Sequence, residues 1–220
     1  MKTHAIIFMH GLGDTPSGWS FLSRALPSYP NRDLAFVYPP APTSPVTCNG
    51  GMSMTSWFDI INIPVTSSEP DTPAGYLDSV SKIHSIIDSV KSSHNLPSSS
   101  IILGGFSQGG AMSLLAASSY PESLGGCICL SGWGLSKSTS FPAWSTTHSK
   151  VPIFIGHGLS DNVVLPSLGQ SCASEIEKGR EGKEGGKVAK VTFKTYQGEG
   201  HGACEEELRD LALWIDEVTK

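Results

Sequence analysis

Six short runs of apolar and β-branched residues recur along this chain, at 5–9, 34–38, 101–103, 126–130, 151–155 and 191–196. Between most of them lie stretches in which apolar residues return at helical spacing. Short continuous apolar strands are what a parallel sheet covered on both faces requires, since neither face of such a strand meets water. Strand and helix alternating in this way predict an α/β architecture, a mostly parallel central sheet with helices on both faces. With 220 residues the chain fits one domain, 1–220, with a core large enough to need no disulfide or metal staple.

The helical segments carry their own signals. Thr72 and Pro73 offer an N-cap followed by proline at the first helical position, and Leu77, Val80, Ile83, Ile87 and Val90 then repeat at helical spacing to about His94. Further helices are expected at about 108–119, ending before Pro121, and within 166–178. The last begins near Cys204 or Glu205, where three glutamates suit a first helical turn, with Leu208, Leu211, Ile215 and Val218 as its inner stripe. Two regions break the alternation. Residues 39–70, rich in Pro, Gly, Ser and Met, read as a long ordered excursion beside the site, and the glycine-rich charged run 178–187 reads as a solvated loop.

Composition excludes several classes. A net charge of -5 leaves no basic footprint for nucleic acid. No apolar run approaches the ~20 residues that span a bilayer, and the apolar stretch near the start ends too soon for a secretory signal. Of the five cysteines, Cys127 and Cys129 fall on one face of a strand as buried thiols, and no CxxC pair occurs. A reducing, cytoplasmic setting is the expectation.

Gly105-Phe106-Ser107-Gln108-Gly109 matches G-x-S-x-G between an expected strand and an expected helix. The turn must be tight enough to lift a hydroxyl above the sheet edge, so a side chain two residues either side of Ser107 would strike backbone. A serine nucleophile needs an imidazole base, and the base needs a carboxylate to hold its tautomer. In this type of fold they follow in the order Ser, Asp or Glu, His. His201, in the glycine-rich loop between the last strand and the last helix, meets that order. Asp161, reached from the fifth strand through a glycine-rich exit, is preferred to Glu199, a loop neighbour of His201. His157 precedes Asp161 and is assigned a structural role, hydrogen-bonding in the Asp161 loop. An oxyanion needs two donors. The backbone N–H of Gln108 and that of Leu12, in the loop His10-Gly11-Leu12-Gly13-Asp14, are the candidates. Met52, Met54, Trp57 and Phe58 either line an apolar channel for an acyl chain or cap the core, and Leu165 is a similar candidate.

Taken in order, several blocks of the chain resemble the acyl-protein thioesterases, also called the lysophospholipase/carboxylesterase family. They are His10-Gly11-Leu12-Gly13-Asp14 with Trp19, Pro39-Pro40-Ala41-Pro42, Ser56-Trp57-Phe58-Asp59, the run 103–111 around Ser107, Gly156-His157-Gly158 with Asp161, the run 191–196, and His201. The resemblance implies the α/β-hydrolase fold, the same triad and the same two oxyanion donors. It also implies S-acylated proteins or lipid and ester substrates as partners, transient contact with a membrane surface, a weak homodimer, and no metal or organic cofactor. The chain departs from the family pattern at Asp161-Asn162-Val163-Val164-Leu165-Pro166, one residue longer before the proline, and it has Gly202 where serine is common. It has no cysteine before Cys48 to carry an N-terminal acyl anchor. The competing reading is a lipid-binding scaffold without turnover.

Overall fold

The structure is a computed structural model that describes residues 2–29, 32–135, 144, 146–180 and 189–220. Most of the charged run 178–187 therefore lies outside the described residues. Six strands form one parallel sheet: β1 (His4–Met9), β2 (Leu34–Val37), β5 (Ile101–Phe106), β6 (Gly126–Leu130), β7 (Ile153–Gly158) and β8 (Val191–Tyr196). Their order is β2-β1-β5-β6-β7-β8, and every pairing is parallel.

Strand alternation sorts side chains onto two cores. Ala5, Ile7 and Met9 of β1 face one side, with α3 (Tyr76–His94), α4 (Gln108–Ser119) and α5 (Pro166–Arg180). Ile6 and Phe8 face the other, with α1 (Pro16–Trp19), α2 (Leu22–Ala25) and α6 (Glu205–Val218). Helices thus cover both faces, as the continuous apolar strands required.

Two strands run longer than their apolar residues suggested. β5 continues through Gly104 and Gly105 to Phe106, held by pairing with β1 as far as Gly105 and with β6 as far as Phe106 opposite Leu130, and glycine at 104 leaves room for the Phe8 and Ile128 side chains, 3.0 Å from where a Cβ would stand. β7 starts at Ile153 and continues through His157 to Gly158, held by pairing with β8 as far as Gly158 opposite Tyr196.

α3 begins at Tyr76 and not at Pro73. Gly75 takes a left-handed φ of 85°, and the carbonyl of Ala74 accepts the N–H of Asp59, so these residues belong to the excursion. Leu77 consequently faces solvent, while Val80, Ile83, Ile87 and Val90 are buried as the spacing required. The excursion holds a feature that its composition concealed, an antiparallel hairpin of β3 (Thr43–Val46) and β4 (Met52–Thr55).

None of the five cysteines forms a disulfide among the described residues, and burial pushes the Cys127 thiol up to about 12. Among the described residues no helix is long and apolar enough to cross a membrane.

Candidate active site

The chain runs from β1 to β2 on one side and then returns to place β5 on the other side of β1. This reversal opens a crevice at the carboxyl ends of β1 and β5, the usual position for ligands in such sheets. Gly11 and Leu12 leave β1 there, and Ser107 leaves β5.

Ser107 has φ 54° and ψ -120°, a strained conformation for a residue with a side chain. The neighbouring glycines make the turn feasible. A Cβ on Gly105 would lie inside the carbonyl group of Gly109, and one on Gly109 inside the carbonyls of Met9 and His10. The backbone of α4 therefore rests directly on the exits of β5 and β1. Ser107 N–H donates to Leu130 C=O at 2.8 Å, which fixes the turn to β6.

His201 Nε2 lies 2.9 Å from Ser107 Oγ, and His201 Nδ1 lies 2.7 Å from Asp161 Oδ2. A carboxylate on Nδ1 holds the proton there and leaves the Nε2 lone pair for the serine hydroxyl. The His201 ring packs against Phe106 with centroids 4.7 Å apart. Its loop is tied to the exit of β7: Ser160 N–H donates to Glu199 C=O, and a Cβ on Gly158 would overlap the carbonyls of Glu199 and Gly200.

Asp161 is buried, and burial alone would raise its pKa. Hydrogen bonds win. His157 and His201 meet Oδ2, while Val163 and Val164 donate N–H groups to Oδ1 at 2.8 and 2.9 Å, holding the carboxyl well below the usual carboxylate range. His157 Nε2 also donates to Val164 C=O at 2.9 Å, so this second histidine joins both ends of the Asp161 loop. Its hydrogen-bonding place in that loop matches the role read from the sequence.

Gln108 opens α4, where a helix leaves its backbone N–H without an intrahelical acceptor. In the β1 loop, Gly13 N–H donates to Thr55 C=O and Asp14 N–H to Gly11 C=O, whereas Leu12 N–H has no backbone acceptor among the described residues. Gly11 is close enough to Ser107 that a Cβ on it would sit 3.4 Å from the serine Cβ. Among the described residues neither N–H is claimed, and both belong to residues beside Ser107, Gln108 next in the chain and Leu12 across the shared cavity.

Beside Ser107 and His201 lies a cavity of about 180 Å³, with Leu12, Ile60, Ile63, Val65, Val163 and Val164 in its apolar lining. Val65 pairs in parallel with Val164, and Val65 N–H donates to Val163 C=O at 2.7 Å, which joins the excursion to the Asp161 loop and closes one wall.

None of Met52, Met54, Trp57, Phe58 and Leu165 lines this cavity. Trp57 and Phe58 are buried structural residues: Trp57 Nε1–H donates to His10 C=O at 2.9 Å, and Phe58 meets Trp133 edge-on. Met52 stands beside the hairpin turn, 63% exposed, and Met54 packs by Asn49. Leu165 N–H reaches Val65 C=O at 3.4 Å, which leaves Val163 and Val164 to face the cavity. The apolar pair Val163-Val164, just past Asp161 and Asn162, and the run Ile60-Ile61-Asn62-Ile63-Pro64-Val65 were the available signals. Among the described residues no group of three or more histidine, cysteine or carboxylate side chains is disposed to hold a metal ion.

Residues 1–219 match the sequence profile described as phospholipase/carboxylesterase. The chain is 38% identical over 220 residues to acyl-protein thioesterase 1 of Debaryomyces hansenii, covering 98% of this chain and 91% of that protein. It is 36% identical over 210 residues to a probable carboxylesterase of Oryza sativa, covering 96% of this chain and 76% of that one. Among solved structures it is similar to Arabidopsis thaliana SOBER1, with a TM-score of 0.87 at 31% identity over 99% of this chain and 100% of that one. Zea mays acyl-protein thioesterase 2 superposes with a TM-score of 0.80 at 25% identity, over 100% of this chain and 95% of that one.

Proposed function

The chain belongs to the phospholipase/carboxylesterase family, serine hydrolases with the α/β-hydrolase fold, and from that premise we propose that it hydrolyses acyl thioesters and esters through an acyl-enzyme on Ser107. S-acylated proteins are the foremost substrates, with lysophospholipids and small esters beside them. The observation that carries this reading is the continuous hydrogen-bonded series Ser107, His201, Asp161 at the mouth of an apolar cavity.

The steps follow from the atoms. Ser107 Oγ attacks the acyl carbonyl as its proton passes to His201 Nε2, and the ionised Asp161 stabilises the imidazolium without itself taking the proton. Charge gathers on the carbonyl oxygen, between the N–H groups of Leu12 and Gln108, with the N-terminus of α4 beneath. When the tetrahedral species collapses, the leaving thiolate or alkoxide takes the proton from His201. Water then enters, its oxygen adds to the acyl carbon as its proton passes to the same Nε2, and collapse breaks the bond to Ser107 Oγ, which takes that proton back as the acid leaves. The enzyme acts in the cytoplasm and meets its acylated substrates by transient contact at a membrane surface. A weak homodimer is part of the same reading.

The cavity, at about 180 Å³, is smaller than the ~300–1,000 Å³ typical of drug-sized sites. It accommodates the carbonyl end of an acyl chain, and the remainder lies along Ile61 and Ile63, which are 44% and 48% exposed. Each buried methylene is worth about 0.8 kcal/mol, close to fourfold in kcat/KM. Across acyl thioesters of graded length, kcat/KM therefore climbs while the chain fills the cavity and then flattens. A steady climb to palmitoyl would show that the pocket continues past its Val65–Val164 wall.

The test of the reaction itself is a fluorophosphonate probe applied to the wild-type chain and to Ser107→Ala, with the adduct mapped by mass. Labelling confined to Ser107, and loss of thioesterase turnover in the folded variant, is the expected result. A well-folded wild-type protein that neither labels nor turns over thioester would instead support the lipid-binding scaffold.

A further inference from the structure

His10 occupies a position that neither the triad nor the cavity explains. Its ring is 1% exposed, at the end of β1, between the Gly11–Leu12 loop and the excursion. Both ring nitrogens meet backbone. Ala41 N–H donates to Nε2 at 3.2 Å, so Nε2 bears a lone pair. Nδ1 lies 2.8 Å from the carbonyl oxygen of Gly11, which only accepts, so Nδ1 bears the hydrogen. Two main-chain groups thus fix a neutral imidazole in one tautomer.

The Gly11 carbonyl and the Leu12 N–H belong to one peptide unit. That unit is trans, so its C=O and N–H point in opposite directions from a common plane. Whatever holds the carbonyl aims the N–H. We propose that His10 is a positioning residue for the oxyanion hole: by donating Nδ1–H to Gly11 C=O it turns the Leu12 N–H toward the oxygen that becomes negative on Ser107's substrate. The proposal rests on Leu12 N–H serving as an oxyanion donor.

The surroundings support this division of work. Trp57 Nε1–H donates to His10 C=O at 2.9 Å, and the ring centroids of His10 and Trp57 are 5.7 Å apart, so the imidazole is held on its own main chain as well as through its nitrogens. On the far side of Leu12, Gly13 N–H is fixed to Thr55 C=O at 2.8 Å, and Thr55 Oγ1–H donates to Asp14 C=O at 2.6 Å. The Gly11 carbonyl of the peptide between these anchors also accepts Asp14 N–H, at 3.3 Å, and His10, at 2.8 Å, is the one described side chain that holds it. Donation to its carbonyl also polarises the unit, which strengthens the opposed N–H as a donor.

Three variants separate the two ring contacts. His10→Asn places an amide nitrogen near the position of Nδ1 and keeps the donor to Gly11. His10→Gln reaches the position of Nε2 and keeps the acceptor for Ala41. His10→Ala removes both. Steady-state kinetics on a short-chain acyl thioester are compared with inhibition by a short-chain trifluoromethyl ketone, to which Ser107 adds to give an oxyanion adduct. An interaction made only in the transition state lowers kcat and leaves KM unchanged. The expected loss in kcat is about 10- to 100-fold for Ala and Gln, somewhat below the removal of a whole donor, with Asn restored to within a few-fold of wild type. Ketone affinity should fall by the same factors, while thermal melting ranks Gln nearest to wild type. Equal kcat for Gln and wild type, or equal loss for Asn and Ala in chains that melt cooperatively, overturns the proposal. Turnover surviving in Ser107→Ala would remove the reaction it serves, a separate failure read in the same assay.

Discussion

A carboxyl group buried without a partner is a proton-binding site, and Glu207 is one. It is fully buried on α6, and neither oxygen has a hydrogen-bond partner among the described residues. Gly156 of β7 lies against it so closely that a Cβ there would overlap Oε1. Burial, then the negative charges of Glu199 and Asp210, push its pKa up to about 8. The folded state therefore holds a proton that the unfolded chain releases near pH 4.5, and stability falls as pH rises between those values. Glu207→Gln, which cannot ionise, should gain on the wild type throughout that window. The difference in melting temperature between the two chains widens from pH 4.5 to pH 8 and is flat on either side; parallel profiles would refute it. In the sequence, Glu205, Glu206 and Glu207 read alike as a charged first turn. Only the helical period sets Glu207 apart, one turn before the buried Leu211 and in line with Trp214 and Ile215. Local composition hid it because the rule about acidic first turns concerns exposed groups. The triad was legible for the opposite reason: Ser107, Asp161 and His201 each sit in a glycine-rich exit from an apolar strand, so spacing and strand order together mark them.

At the level of elements, one side chain of α4 holds three consecutive residues of the excursion, Ser56, Trp57 and Phe58. Gln108 accepts the Trp57 N–H at 2.8 Å through Oε1, and its Nε2–H group donates to Ser56 Oγ at 3.0 Å and Phe58 C=O at 2.6 Å. Gln108→Ala retains the backbone N–H at this position but strands the buried N–H of Trp57, and should cost roughly 2–4 kcal/mol. Denaturant melts check the magnitude, and hydrogen exchange checks the place: amides of 56–65 should open before those of β5. Uniform loosening would mean that the excursion has other anchors of equal strength. This is also the element that sequence described least well. The hairpin of β3 and β4 carries Pro45, Ser44 and Ser53, poor strand formers whose pairing is imposed by tertiary contact. The cavity wall escaped notice because Val65 and Val164 are brought together from 99 positions apart, an encounter that no local pattern encodes.

Across the whole molecule the charge is -5 with an isoelectric point near 5.8, while the exposed apolar side chain of Ile63 borders the cavity and that of Ile61 stands two residues away in sequence. Such a body is drawn to acyl groups by apolar contact and is repelled by an anionic surface. Turnover of a lipid-anchored acyl thioester should be slower in anionic than in neutral vesicles at low salt. The gap should close as the Debye length falls toward ~8 Å near 0.15 M salt. Faster turnover on anionic vesicles would point to a local positive face that outweighs the total. The groups around Ser107 are set by backbone resting on backbone: Gly109 on the exits of β1 and β5, Gly158 under the His201 loop. The cavity, by contrast, is walled by side chains on the excursion and the Asp161 loop. The two sets of contacts are separate, so a side chain in the cavity wall can be exchanged without moving the backbone that holds Ser107 and His201.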